Sequence, residues 1–223
     1  MSISSVVDEK AIAEWLLIEE QFSYDNYNHL KLLNNPYQRA SESAQILFCA
    51  PHALNHFRHN KIKIADIFTG SLCCLLSEKT NQANLVPVCL SKKSDYLDLG
   101  CEYVQRVKYA VESGLIIVDI HGMSDDYGLD VCIGAGPKPS VMVNNLCNYL
   151  ADKLSDYKVA INSPFNALAN YTVTNFVQTR LGGDAIQIEI ASHLRNPKYN
   201  STECGIFFER LSQVFKSFLT ELE

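Results

Sequence analysis

The chain has 223 residues, of which 47% are hydrophobic and 20% charged, with a formal net charge of −6 and a pI near 5.5. That length can bury a substantial α/β core, and the composition is that of an ordinary globular protein. No basic stripe marks a nucleic-acid partner, and no apolar run approaches the roughly 20 residues of a membrane span. The N-terminus, MSISSVVDEKAIAEWLL, carries charges where a signal peptide needs an apolar stretch. The expectation is a cytoplasmic protein of one domain, 1–223, in which 1–40 form an N-terminal helix and extension.

Residues 8–22 show helical periodicity, with acids at the front and an apolar face. Residues 23–40 are polar and aromatic, with a turn at Asn34-Asn35-Pro36. AQILFCA (44–50) reads as a buried strand stopped by Pro51, and 62–80 as a helix. NLVPVCL (84–90) reads as a strand whose Pro87 marks an edge or a bulge. A helix within 97–113 ends at Gly114, and GLIIVDI (114–120) is the clearest strand. A strand over 128–136 leads to a helix over 139–156 and a short strand at 158–161. Residues 169–182 are mixed and mainly helical, DAIQIEIA (184–191) is a strand, and 202–222 an amphipathic helix. This alternation predicts a three-layer α/β fold: a mostly parallel or mixed central sheet with helices on both faces. The eight cysteines, from Cys49 to Cys204, form no CxxC pair and sit mostly in apolar segments such as those of Cys49 and Cys89. They are expected to be buried and reduced.

Ligands of open α/β sheets bind beyond the carboxyl ends of the strands. One strand ends in Pro51-His52 and another in His121, each after an apolar run. Two imidazoles at one sheet edge suit a catalytic zinc site, which takes three protein ligands and leaves one position open. Asp66, in KIADIFTG, is the choice for the third ligand, brought back by a helix that starts after the His52 loop. Asn55, His56 and His59 compete with it. Asp119 shares a strand face with His121 and is suited to accept a proton from a ligand imidazole. Gln187 and Glu189 share one face of their strand. A carboxylate there is costly to desolvate, and a general base for water activated by the ion meets that cost. A salt bridge to Arg180 or Arg195 would serve as well, and either histidine could be a hydrogen-bonded structural group. Arg58 could grip an anion or an oxyanion. Asp125, Asp126 and Asp130 read as a solvated turn.

The segments APH (50–52), VDIHGM (118–123), NSPF (162–165) and QIEI (187–190) occur in the order of the N-formylglutamate amidohydrolase-like proteins. The chain resembles that family over about residues 44–195. The resemblance implies a fold similar to the zinc carboxypeptidases and aspartoacylases. It implies zinc, or another divalent metal, on His52, Asp66 and His121, with Glu189 as general base. It also implies hydrolysis of the amide of an N-acyl amino acid or small peptide-like substrate. In the mechanism expected for such a site, Asn162 would shape the pocket and Arg195 would hold a substrate carboxylate. Where the family follows PH with Ser-Gly, this chain has Ala53-Leu54-Asn55, and NALANYT after the N-x-P-F segment lacks the family's glycines. A ligand-binding protein without turnover, on the same scaffold, is the alternative.

Overall fold

A computed structural model describes residues 9–31, 37–39, 43–58, 60–89 and 101–222. Among the described residues nine strands are formed: β1 (Tyr37–Arg39), β2 (Ile46–Cys49), β3 (His56–Arg58), β4 (Lys61–Lys63), β5 (Ala83–Leu85), β6 (Ile116–Met123), β7 (Val131–Gly134), β8 (Val159–Ile161) and β9 (Ala185–Ala191). The helices are α1 (Glu9–Ser23), α2 (Thr69–Thr80), α3 (Glu102–Glu112), α4 (Val141–Lys153), α5 (Val173–Phe176), α6 (Ser192–Arg195) and α7 (Ser201–Leu222). A π-helical turn, Val177–Leu181, continues α5.

Seven strands form one mixed sheet in the order β1-β5-β2-β6-β9-β7-β8, while β3 and β4 make a separate antiparallel hairpin. The central strands β5, β2, β6 and β9 run parallel, as the βα alternation predicts. β1 is antiparallel to β5, and β7 is antiparallel to β9.

Side-chain alternation along β6 and β9 gives the sheet two different faces. Val118, Ile120, Ile186, Ile188 and Ile190 join Ile46 and Phe48 in one apolar cluster with α2, α4 and α7, and α1 packs against α2 and α7. On the opposite face, Leu47, Ile117 and Ala185 pack against Tyr103, Val104 and Val107 of α3 and against α5. That second cover reaches only part of the way along the strands. Farther toward their carboxyl ends the same face carries Asp119, His121, Gln187 and Glu189, and there it opens into a cavity.

The structure differs from the sequence expectation in four places. Residues 61–63 are a strand, and α2 begins only at Thr69. The K-I-K-I alternation leaves Ile62 and Ile64 exposed, which fits a surface hairpin and not a helix face. β6 continues through His121 to Met123, so His121 lies within the strand. Pro87 falls beyond the end of β5, which is flanked on both sides by strands. Cys89 is exposed, whereas Cys49, Cys73, Cys132, Cys147 and Cys204 are buried, and no disulfide links any of the eight. The turn expected at 34–36 and the first residues of the 97–113 helix lie outside the described residues. Among the described residues, no helix is long and apolar enough to cross a membrane.

Phe48 is fully buried between the sheet and α7, with its ring edge-on to Phe215 at 4.9 Å. Phe48→Ala is expected to destabilise the protein by about 3–5 kcal/mol, read as a lower urea midpoint at unchanged slope.

Candidate metal centre

Three adjacent parallel strands deliver the site. The β2 chain turns at Pro51 and presents His52; β6 presents Asp119 and His121; β9 presents Gln187 and Glu189. The register pairs Asp119 with Gln187 and His121 with Glu189, so these four side chains form two rows on one face. The β3–β4 hairpin closes over them with Arg58 and Lys63. The loop leading into α2 contributes Asp66, whose backbone N–H donates to the His52 carbonyl (2.8 Å).

His52, Asp66 and His121 converge, with one potential ligand atom from each within 4.8 Å of the others. The two Nδ1 atoms are 3.0 Å apart. Asp66 Oδ2 lies 3.3 Å from His52 Nδ1 and 3.6 Å from His121 Nδ1. Asp119, fully buried, accepts from His121 Nε2 (2.9 Å), which turns Nδ1 toward the centre of the cluster. The other Asp119 oxygen faces the backbone N–H and hydroxyl of Thr174 in α5 (3.4 and 3.5 Å).

The electrostatics follow from this packing. Burial pushes His52 well below its usual range, and the neighbouring His121 adds to the effect. Burial also opposes a charge on His121, but the Asp119 carboxylate and its hydrogen bond, with Asp66, lift it to about 10. Burial works to raise Asp66, yet hydrogen bonds from His121 and His52 hold it well below the carboxylate range. Desolvation raises Glu189, with partial compensation from His121. Gln187 Nε2 donates to one Glu189 oxygen (2.6 Å).

A cation fits this donor set. A neutral imidazole has one acceptor nitrogen, but His52 meets two cationic donors, Lys63 Nζ at Nδ1 (3.1 Å) and Arg58 Nη2 at Nε2 (3.2 Å), and its Nδ1 also lies 3.0 Å from His121 Nδ1. The Lys63 ammonium, also 2.8 Å from Asp66 Oδ1, already lies against two of the three potential ligands. Two imidazoles and one carboxylate, with an acid behind one ring, suit a borderline divalent ion such as zinc.

The cavity beside this cluster has a volume of about 440 Å³. Arg58, Lys63, Gln187 and Glu189 line it, together with an aromatic wall of Tyr127, Phe165 and Tyr171. The Tyr127 and Phe165 rings meet edge-on at 4.9 Å, and the Arg58 guanidinium lies 4.3 Å from the Tyr171 centroid.

Two expected substrate contacts are placed elsewhere. Arg195 is buried, and its guanidinium donates to the carbonyls of Ile190 (3.1 Å), Met123 (3.4 Å) and Ile67. It packs flat over Gly122, where a Cβ would come within 2.5 Å of Nε, and it does not line the cavity. Asn162 is exposed, with φ of +61°. Its Oδ1 accepts from Ala135 N–H (2.8 Å), and it sets the turn into Pro164 and Phe165, which do line the cavity.

The competitors for the third ligand have other tasks. Asn55 Oδ1 accepts from Ala65 N–H, and its amide donates to Asn26 and Asn28. His56 is buried and stacks on His52 at 4.3 Å, and burial drops its pKa to about 4. His59 lies outside the described residues. Asp125 and Asp130 both pair with His193 (2.9 and 3.3 Å).

No protein-family model and no curated protein matches the sequence. Solved structures do match in fold. A gene product from Agrobacterium tumefaciens superposes with a TM-score of 0.59 at 15% identity, over 84% of this chain and 94% of that one. A bacteriophage poly-γ-glutamate hydrolase gives 0.54 at 15% identity, over 86% and 91%. A metallo-carboxypeptidase from Pseudomonas aeruginosa, solved with (2-guanidinoethylmercapto)succinic acid, gives 0.51 at 14% identity, over 84% and 60%. The fold is carboxypeptidase-like. At these identities the likeness reaches no narrower, and the motif resemblance to N-formylglutamate amidohydrolases stands as a distant one.

The pH dependence of the metal-free protein reports the His121 environment. A histidine raised from 6.5 to about 10 contributes stability that is full below pH 6.5 and is lost as pH rises toward 10. The melting temperature of the metal-free protein is therefore expected to fall from pH 6.5 upward. Asp119→Asn should flatten that slope, and calorimetry across the range checks it.

Proposed function

We propose that this chain is a metal-dependent amidohydrolase, zinc being the first candidate ion, that cleaves an N-acyl amino acid or a small peptide-like substrate. One observation carries the reading: two imidazoles and a carboxylate meet at the mouth of a cavity, beside a buried carboxylate on the next strand. The names of two fold neighbours, a poly-γ-glutamate hydrolase and a metallo-carboxypeptidase, support a hydrolytic reading.

His52, Asp66 and His121 would hold the ion. When bound, a divalent ion supplies Lewis acidity, lowering the pKa of water toward about 7 and polarising a carbonyl. The remaining chemistry belongs to side chains. Glu189 stands across from His121, and its raised basicity suits it to take a proton from the attacking water. Gln187 donates to one of its oxygens and so orients the carboxylate, leaving the other for the proton. Glu189 then returns that proton to the leaving nitrogen. Asp119 accepts from His121 Nε2 throughout and fixes which nitrogen faces the ion site.

Lys63 and Arg58 are the cations that face the developing oxyanion. The Arg58 guanidinium lies 3.2 Å from His52 Nε2 with the Tyr171 ring against its face, at the cavity wall where a substrate carboxylate or oxyanion would lie. The aromatic wall suits the apolar part of an acyl or amino-acid side chain.

The test is zinc binding and hydrolysis by the metal-stripped protein, assayed on a panel of N-acyl amino acids before and after zinc is restored. Glu189→Gln is expected to keep the zinc and lose roughly 10²–10⁴-fold in turnover. His121→Ala is expected to lose the zinc. Full turnover in Glu189→Gln would remove it as the base, and unchanged zinc content in His121→Ala would remove His121 as a ligand. A wild-type protein that binds substrate analogues without turnover would leave the scaffold as a ligand-binding protein.

A further inference from the structure

Glu19 is a buried carboxylate in α1 that does not line the cavity. Its Oε1 accepts from Phe68 N–H (2.9 Å) and from the Tyr27 hydroxyl (2.8 Å), and its Oε2 accepts from Ser71 Oγ (2.6 Å). Trp15 Nε1, also from α1, donates to the same Ser71 oxygen (2.9 Å). A buried carboxylate is costly unless donors surround it, and two of these donors, Phe68 N–H and Ser71 Oγ, lie at the start of α2. Phe68, the residue before α2, has φ of +66° and no side chain able to cap the helix. Glu19 supplies that cap from another helix, at the end of α2 where the peptide dipoles favour negative charge.

The potential ligand Asp66 lies two residues before Phe68. On its other side, Ala65 N–H donates to Asn55 Oδ1 (2.8 Å), and Asn55 N–H donates to the Tyr27 carbonyl (2.9 Å). Tyr27 is thus held at both ends, by its hydroxyl on Glu19 and by its carbonyl on Asn55. Ile67, between Asp66 and Phe68, is held through its carbonyl by Arg195.

We propose that Glu19 is a positioning residue for the ion site. Through Phe68 on one side, and through Tyr27, Asn55 and Ala65 on the other, it fixes the short backbone segment that carries Asp66. The N-terminal helix is then part of the site's framework, although none of its side chains reaches the cavity. This inference rests on the reading of His52, Asp66 and His121 as ion ligands.

The experiment uses the full chain stripped of metal and titrated with zinc against a chromophoric chelator. The visible spectrum of the cobalt-substituted protein is recorded in parallel. Glu19→Ala is expected to weaken zinc binding roughly tenfold or more and to shift the cobalt bands. Glu19→Gln should recover most of both, because its amide oxygen still accepts from Phe68 N–H. Gln82→Ala is the control: Gln82 is buried and accepts from Gln45 and Ile46 N–H at the far end of β2. It should lower the melting temperature while leaving zinc affinity and the cobalt spectrum as in wild type. Should Glu19→Ala fail to fold, Tyr27→Phe removes one arm of the network and is expected to give a smaller loss in the same direction.

Wild-type zinc affinity and cobalt bands in both Glu19→Ala and Tyr27→Phe would overturn the inference alone. So would an equal loss of affinity in Gln82→Ala. A wild-type protein that takes up neither metal would overturn the ligand reading and this inference together.

Discussion

The hydrogen bond between Asp119 and His121 is the interaction on which the rest of the site depends. Asp119 has no exposure to water, so its negative charge must be met by protein donors. His121 Nε2 meets one oxygen, and Thr174, from the helix covering that face, meets the other. The alternation of β6 puts both residues on one side, and the ring is then fixed with Nδ1 toward His52 and Asp66. Without that restraint the imidazole could turn, and the three potential ligands would have no common centre.

The charges around that centre are balanced unevenly. Asp66 and Glu189 share the cavity with Lys63 and Arg58, while His52, with one lone pair to offer, lies against both cations and against His121 Nδ1. A buried polar network that is only partly satisfied is costly. The cluster can hold a metal ion, and the Lys63 ammonium already lies against two of its members from the side. The cavity therefore sets a cluster able to hold a metal ion beside a cationic, aromatic wall.

Much of this was legible in the sequence because it depends on strand periodicity. An apolar run ending in Asp-Ile-His places an acid and an imidazole on one face whatever the tertiary details. The Gln-x-Glu pattern does the same one strand away. What escaped was set by contacts between distant segments. Lys63 lay in a stretch read as helix, although its alternation with Ile62 and Ile64 was the signal for a strand. Arg195 looked available for a substrate, but the missing side chain of Gly122 leaves room for its guanidinium to bond the carbonyls of Ile190, Met123 and Ile67. Glu19 carried no signal of its own. Its role exists only because α1 crosses the start of α2.

The β3–β4 hairpin stands apart from the seven-stranded sheet, yet it brings Arg58 and Lys63 over the cavity. Its three-residue strands bury little of the main core, since Ile62 and the following Ile64 face outward. The hairpin and the sheet therefore make separate contributions: the sheet carries the core, and the hairpin lays two cations over one side of the cavity. A change of length or charge in that hairpin would alter the cavity wall while leaving the strand pairing beneath it intact.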